Sequence, residues 1–387
     1  MSHVTPESAE DLAQALREAA MSSRTITVIG NGSKRLMGGP IWPADVTIST
    51  SGLRGILAYE PNDLTISVEA GMPFAELQAH LAAQGQMIAL DPPFLGTATV
   101  GGIVASNSSG PMRRTFGTAR DLIIGMSFAT LEGKIIRSGG MVVKNVAGLD
   151  MGKLMIGSFG TLAVMTSLNF RLHTLPRQTR TFLFSFDDLD SAIEKRDSII
   201  RSALQPLALD LLSPSAAVKL GLRGYVVAVR AGGSPAVLAR YARDLDGSTQ
   251  LATVEEESGF WEQVREFPST FLEQQPSGIV LRISTTITQV RNVHRLTSEP
   301  CVSRAASGVS YVCAASWDAV PSLWQAAAEQ GWTIAVEFAP DAIRREKDLW
   351  FSRSSKEGCE TLKMMKRLKQ MFDPGNLLNR SRLYGRI

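Results

Sequence analysis

The pattern of apolar and polar positions divides the chain into a glycine-rich first half and a second stretch of alternating strand and helix signals. Thr25–Gly30, TITVIG, is a β-branched run that predicts a short strand. It stops in GNGSKRLMGG, Gly30–Gly39, a glycine-rich loop. Leu64–Gly71, LTISVEAG, predicts a second strand. Over Pro73–Gly85, Phe74, Leu77 and Leu81 recur at helical spacing and predict a helix. Leu122–Leu131 and Lys134–Ser138 read as two strands joined by a Glu132-Gly133 turn. Near the N-terminus, Thr5-Pro6-Glu7 ahead of an amphipathic run predicts a capped helix start.

Glycine thins out after Leu175-Pro176-Arg177, and TRTFLFSF, LDSAIEKRDSIIRSA, YVVAVRA and SPAVLARYARDL alternate strand with helix, as in a separate α+β domain. The last forty residues carry a basic helical run, CETLKMMKRLKQMF, and then DPGNLLNRSRLYGRI. Three units are expected: residues 1–176, 177–345 and 346–387. Lys363, Lys366, Arg367 and Lys369 read as a solvated face of the basic helix; a partner subunit or an anionic phosphate is the alternative.

Composition narrows the class. The chain has 387 residues, enough for two or three domains. A net charge of +3, spread along the sequence, gives nucleic-acid binding little support. Cys301, Cys313 and Cys359 are far apart and odd in number, so reduced cytoplasmic thiols are expected rather than a disulfide framework. The N-terminus lacks a signal-peptide pattern, and no stretch reaches the roughly 18 apolar residues of a spanning helix. A cytoplasmic protein is expected, with membrane contact only peripheral, at the inner face, or through partners. His3, His80, His173 and His294 contain no pair at metal-ligand spacing, so no metal site is expected.

Thirteen of the 33 glycines lie between Gly96 and Gly160. Glycine removes the Cβ atoms that would keep a ligand off the backbone. In Gly30–Lys34, GNGSK, backbone N–H groups can form an anion-binding concavity, although the loop matches neither a P-loop nor GxGxxG, and a plain surface turn is the alternative. Gly101-Gly102 and the polar cluster Ser106-Asn107-Ser108-Ser109-Gly110 form a second such segment. Two loops of this kind point to a diphosphate ligand better than either alone.

DLTISVEAG, TATVGGIVASNSSG, RRTFGTARDLIIG and KLMIGSFGTLAVMTSLNFRL occur in order and at the usual spacing for one family. Together they resemble the FAD-binding domain of the vanillyl-alcohol oxidase and p-cresol methylhydroxylase superfamily. GGMVVKNVAGLDMGKLMIGSFGTLAV and LKQMFDPGNLLNRSRL extend the likeness to the FAD-binding subunits of bacterial glycolate oxidases. The resemblance implies an α+β fold: a two-lobed FAD-binding domain, a smaller α+β cap domain, and a C-terminal tail returning to the FAD domain. It implies that Gly30, Asn31, Gly32, Ser33 and Lys34 hold the FAD pyrophosphate, that Thr99, Gly101, Gly102, Ser106, Asn107 and Gly110 line the cofactor, and that Val164 and Asn379 contact it. Leu149 stands where relatives often carry Tyr. Neither loop offers a His or Cys suited to flavin attachment, so the FAD is expected to be non-covalent.

The same resemblance implies oxidation of a small 2-hydroxy acid, glycolate to glyoxylate, with electrons passing to a second flavin subunit and an iron–sulfur subunit and on to a quinone. Three scattered cysteines cannot hold the cluster in this chain. A self-sufficient 2-hydroxy-acid dehydrogenase and a non-catalytic flavoprotein that stabilises a complex stay open. The His-rich motif of larger relatives has no counterpart in AASGVSYVCAAS, Ala305–Ser316. Arg282, in the apolar strand GIVLRIS, is the candidate for the substrate carboxylate, unless it is an edge-strand or salt-bridged residue. Lys144 is the candidate for positive charge beside the flavin, with a solvent-facing lysine as the alternative.

Overall fold

The computed structural model describes residues 2–141, 150–251, 253–353, 356 and 358–387. The N-terminal part is two lobes. In the first, Ile26–Ile29 and Ser2–Val4 pair in parallel on either side of Val46–Ser49. The helix Ala9–Met21 buries Leu12 and Leu16 against this sheet. Its N-cap is Ser8, whose hydroxyl accepts the Asp11 amide at 3.0 Å, so the start lies beyond the expected Thr5-Pro6.

The second lobe is a five-stranded sheet in the order Ile56–Glu60, Thr65–Glu69, Val164–Arg171, Ile123–Ala129, Ile135–Gly139. Ile123–Ala129 and Ile135–Gly139 form the expected hairpin, and Gly133 takes the left-handed φ of +78° its turn requires. The helix Phe74–Ala82 buries Phe74, Leu77 and Leu81, the residues that carried its periodicity. The helix Val100–Ser106 lies on this sheet because Gly101 has no side chain: a Cβ there would sit 2.9 Å from both Cβ and O of Ala70.

The third sheet has nine strands in the order Thr249–Gln250, Gln178–Phe186, Tyr225–Gly233, Ala208–Leu212, Cys301–Arg304, Val309–Ala314, Ile279–Ser284, Thr333–Phe338, Trp350–Phe351. Every pairing within it is antiparallel. Because Trp350–Phe351 closes this sheet, it runs past residue 345. Its core holds Cys301 and Cys313, both free thiols.

The tail comes back to the first lobe. Leu377 O accepts the Ile26 amide at 2.8 Å, and the Asn379 amide donates to Ile26 O at 2.9 Å. The helix Glu360–Phe372 delivers it. Lys363, Lys366 and Arg367 leave the protein surface, but Lys369 is buried, contrary to the solvated face expected of all four. Its Nζ donates to Asp373 Oδ2 at 2.5 Å and to Thr161 O and Leu378 O at 2.8 Å each. A buried ammonium persists only with such partners.

Candidate functional site

The strand Ile26–Ile29 ends at Gly30, where a Cβ would approach Thr99 Oγ1 to 2.4 Å. Gly32 follows with φ +73° and nothing within 4 Å on its Cβ side, so its backbone faces open space. The amides of Asn31, Gly32 and Ser33 find no acceptor among the described residues. Opposite them, Thr99 caps the helix Val100–Ser106, its hydroxyl accepting the Gly102 amide at 3.2 Å. A third wall is the turn at Phe159 (φ +54°) and Gly160 (φ +66°). A left-handed phenylalanine costs on the order of 1–3 kcal/mol and survives only where its surroundings fix it. Here the Phe159 amide donates to Ala105 O at 2.9 Å, and Phe159 O accepts Asn379 Nδ2 at 2.8 Å. Asn379 Oδ1 in turn accepts the Val28 amide at 2.8 Å, so one side chain ties tail, turn and strand together.

These walls enclose a cleft lined by Gly30–Lys34, Thr99, Gly102, Ser106, Phe159, Asn379 and Arg382. It opens inward to a recess with Gly101, Ala163 and Val164. Past Ser106 and Phe159 lies a chamber of about 460 Å³, lined by Arg282, Trp350, Leu368 and Tyr384 among others. That volume lies in the range of ligand pockets, roughly 300–1,000 Å³.

The chamber meets the nine-stranded sheet at its charged strands. Arg282 is on Ile279–Ser284, a central strand paired on both sides, not an edge. Its Nε lies 2.7 Å from Glu337 Oε2, and Tyr384 lines the same chamber. Burial works against its charge, but Tyr384, Glu337 and Tyr311 outweigh that and hold it firmly protonated. Burial raises the Glu337 carboxyl against the opposing pull of Arg282, Arg113 and Lys34. Burial likewise pushes Tyr311 up to about 12.

Lys34 joins this group. The loop behind it is sewn to Thr333–Phe338: the Gly38 amide donates to Glu337 O at 2.9 Å, and Met37 bridges Phe338. Its buried Nζ has no hydrogen-bond partner among the described residues and stands 5.8 Å from the centre of the Phe94 ring. Burial lowers its pKa to about 8, against the upward pull of Glu266 and Glu337. Glu266 fixes the Phe94 loop, accepting the Phe94 and Leu95 amides at 2.6 and 3.1 Å.

Of the expected residues, Gly30, Asn31, Gly32, Ser33, Lys34, Thr99, Gly102, Ser106 and Asn379 converge on the cleft. Gly101 and Val164 reach the recess, Asn107 and Arg282 the chamber. Ser106 spends its hydroxyl proton inside its own helix, donating to Gly102 O at 2.7 Å. Gly110 does not line the cavity. A Cβ there would lie 1.8 Å from Asp91 O, so this glycine serves a backbone crossing behind the wall. Lys144 lies outside the described residues. His294 is buried against Ser303 at 2.8 Å, and burial drives its pKa down to about 3. No group of three or more metal-ligating side chains occurs among the described residues.

Phe159, Arg382, Glu337 and Tyr384 were missed. Phe159 had a signal, a lone aromatic between the two glycines of GSFGT. Tyr384 had none, since only tertiary structure brings the tail to Arg282.

Residues 2–139 match the FAD binding domain family, and residues 344–383 match the C-terminal domain of FAD linked oxidases. Glycolate oxidase subunit GlcE of Escherichia coli is 35% identical over 262 residues, 66% of this chain and 69% of that protein. The chain belongs to this FAD-linked oxidase family. Glycolate oxidase subunit GlcD of Bacillus subtilis is 23% identical over 423 residues, 99% of this chain and 88% of that one. Among solved structures, 4-ethylphenol oxidase from Gulosibacter chungangensis superposes with a TM-score of 0.73 at 14% identity, covering 98% of this chain and 88% of the oxidase, a likeness of fold.

The cofactor is FAD, and the residues present suit it. Unpaired amides and a Cβ-free surface at Gly32 fit a diphosphate, and the adjoining apolar recess and chamber fit flat rings. In Gly32→Asp a carboxylate would occupy that open side on a strained left-handed backbone. The variant is expected to purify without flavin, as read by its visible absorbance spectrum. Normal FAD content would remove the Gly30–Ser33 loop from the site.

Proposed function

We propose that the chain is the FAD-binding subunit of a glycolate oxidase complex, which oxidises glycolate to glyoxylate and sends electrons towards an iron–sulfur subunit and a quinone. The observation that carries this reading is Arg282, kept charged at the chamber wall beside Tyr384, in a chain similar to GlcE. Bound FAD would supply the acceptor for the hydride. The amides of Asn31, Gly32 and Ser33 would hold its diphosphate. The Arg282 fork would take the substrate carboxylate, with Tyr384 beside it on the chamber wall. Apolar Leu368, Leu383 and Trp350 would keep water out and strengthen these contacts.

The iron–sulfur centre belongs to a partner in this reading, since Cys301 and Cys313 are buried in sheet. No helix among the described residues is long and apolar enough to cross a membrane, so membrane contact would come through partners. A self-sufficient 2-hydroxy-acid dehydrogenase is favoured by one observation, that cleft, chamber and Arg282 all belong to one chain.

The test is an absorbance spectrum of the FAD-loaded chain, alone and with partner subunits, before and after anaerobic glycolate. Bleaching only with partners supports the complex. Bleaching alone supports the self-sufficient enzyme. No bleaching in either preparation defeats glycolate as substrate.

A further inference from the structure

Oxidation of a 2-hydroxy acid releases a hydroxyl proton that some side chain must take. No histidine lines the cleft or chamber among the described residues. Tyr311 and Tyr384 are shifted upward by burial, which makes both phenols poor bases near neutral pH. Glu337 is committed to Arg282. One buried basic atom in the cleft wall has no partner, the Lys34 Nζ. Although Lys34 is the last residue of the Gly30–Lys34 loop, its ammonium feels the carboxylates of Glu266 and Glu337. It sits near Phe94 and within the electrostatic reach of Glu337, the residue that also pairs with Arg282.

We propose that Lys34 is the catalytic base of this chain: its neutral amine accepts the hydroxyl proton of a 2-hydroxy acid whose carboxylate rests on Arg282. This assignment rests on the reading of Arg282 given above. The O–H bond breaks and its proton forms an N–H bond at Nζ. The oxygen's electron pair becomes the second bond of the product carbonyl, and the carbinol C–H pair leaves as hydride to the oxidised flavin. The ammonium then returns its proton to water.

Lys34 suits the task by its surroundings. Burial favours the neutral amine, and the pKa of about 8 leaves a usable fraction deprotonated in mildly alkaline solution. Glu266 and Glu337 oppose that shift and prevent a larger one. Arg282 and Arg113 act on the same Glu337 carboxyl, and Arg35 and Arg382 line the same cleft. The sign follows: the amine is the active form, so the rate of flavin reduction should rise with pH through about 8.

The experiment uses the FAD-loaded protein with its partner subunits and glycolate, in stopped-flow reduction across pH. Lys34→Met and Lys34→Arg are expected to retain flavin and to lose about 10²–10⁴-fold in reduction rate, because neither can accept a proton at these pH values. The limb near pH 8 should vanish, and ethylamine should partly restore Lys34→Ala. Independently of turnover, 15N NMR of lysine-labelled protein should show one ammonium titrating near 8, absent from Lys34→Arg. Full activity in Lys34→Arg would reduce the residue to a fixed charge and overturn the assignment, as would an NMR midpoint of about 10 or above. Loss of flavin with an unchanged rate per bound flavin would make Lys34 a cofactor anchor and overturn it too. If wild-type flavin is not reduced at all, the 2-hydroxy-acid reading fails first, and this inference with it.

Discussion

Lys369→Met is expected to destabilise the protein by about 3–5 kcal/mol, the usual cost of removing one partner of a buried ion pair. The mutation deletes the donor at Asp373 Oδ2, Thr161 O and Leu378 O, none of which the Met thioether can replace. It leaves the Asp373 carboxylate buried, held among the described residues by the Leu377 and Leu378 amides at 2.9 and 2.8 Å. Urea unfolding should show a lower midpoint with an unchanged slope. The damage should also reach the cofactor, because Thr161 belongs to the Phe159–Gly160 turn and Leu378 precedes Asn379, which lines the cleft. Flavin retention should therefore fall with stability. The companion double variant, Lys369→Met with Asp373→Asn, removes both charges and should recover part of the loss. A shift under about 0.5 kcal/mol in the single variant would place Lys369 on the surface, as the sequence pattern had it.

Why that pattern misled is a matter of geometry. Four cations within seven positions look like one solvated face. At 3.6 residues per turn, however, Lys369 lies about 20° from the buried Leu362, while Lys363 and Arg367 lie about 100° and 140° from that residue. A helical projection therefore separates Lys369, and Asp373 four residues on supplies its partner. The helix Phe74–Ala82 was legible because burial on one face leaves a local record, and the strand Gln178–Phe186 because its middle, buried on both faces, reads as a continuous apolar run. The Gly30–Ser33 loop, proposed here to hold the diphosphate, stood out because close backbone approach needs glycine. Glycine alone did not separate its causes: Gly32 faces open space, Gly101 faces Ala70 and Gly110 faces Asp91. The Arg282, Glu337, Tyr384 and Lys34 group was legible only in part. Its members are spread from residue 34 to residue 384 and meet only because the Gly38 loop and the tail both dock on the nine-stranded sheet.

Arg282→Met is expected to lower kcat/KM for glycolate by about 10²–10³-fold, which corresponds to roughly 3–4 kcal/mol for two charge-assisted hydrogen bonds to the carboxylate. The same change leaves Glu337 buried without its cation, so a loss of stability will accompany the loss of rate and must be separated from it. Glu337 is already pushed upward by burial, and without Arg282 it should rise further and bind a proton in the folded state. Its carboxyl then has a higher pKa folded than unfolded. The stability it contributes is therefore present at low pH and lost as pH rises through the folded pKa, which makes Arg282→Met more fragile in alkali. Arg282→Met with Glu337→Leu removes both charges and should regain stability, since a well-packed apolar pair often equals a buried ion pair. It should not regain activity, because the carboxylate fork is still missing. Arg282→Lys keeps a charge near Glu337 but not the two-pronged geometry, and should fall between the two in KM. If the double variant turns over glycolate at the wild-type rate, Arg282 serves only to satisfy Glu337, and the chamber does not bind substrate through it.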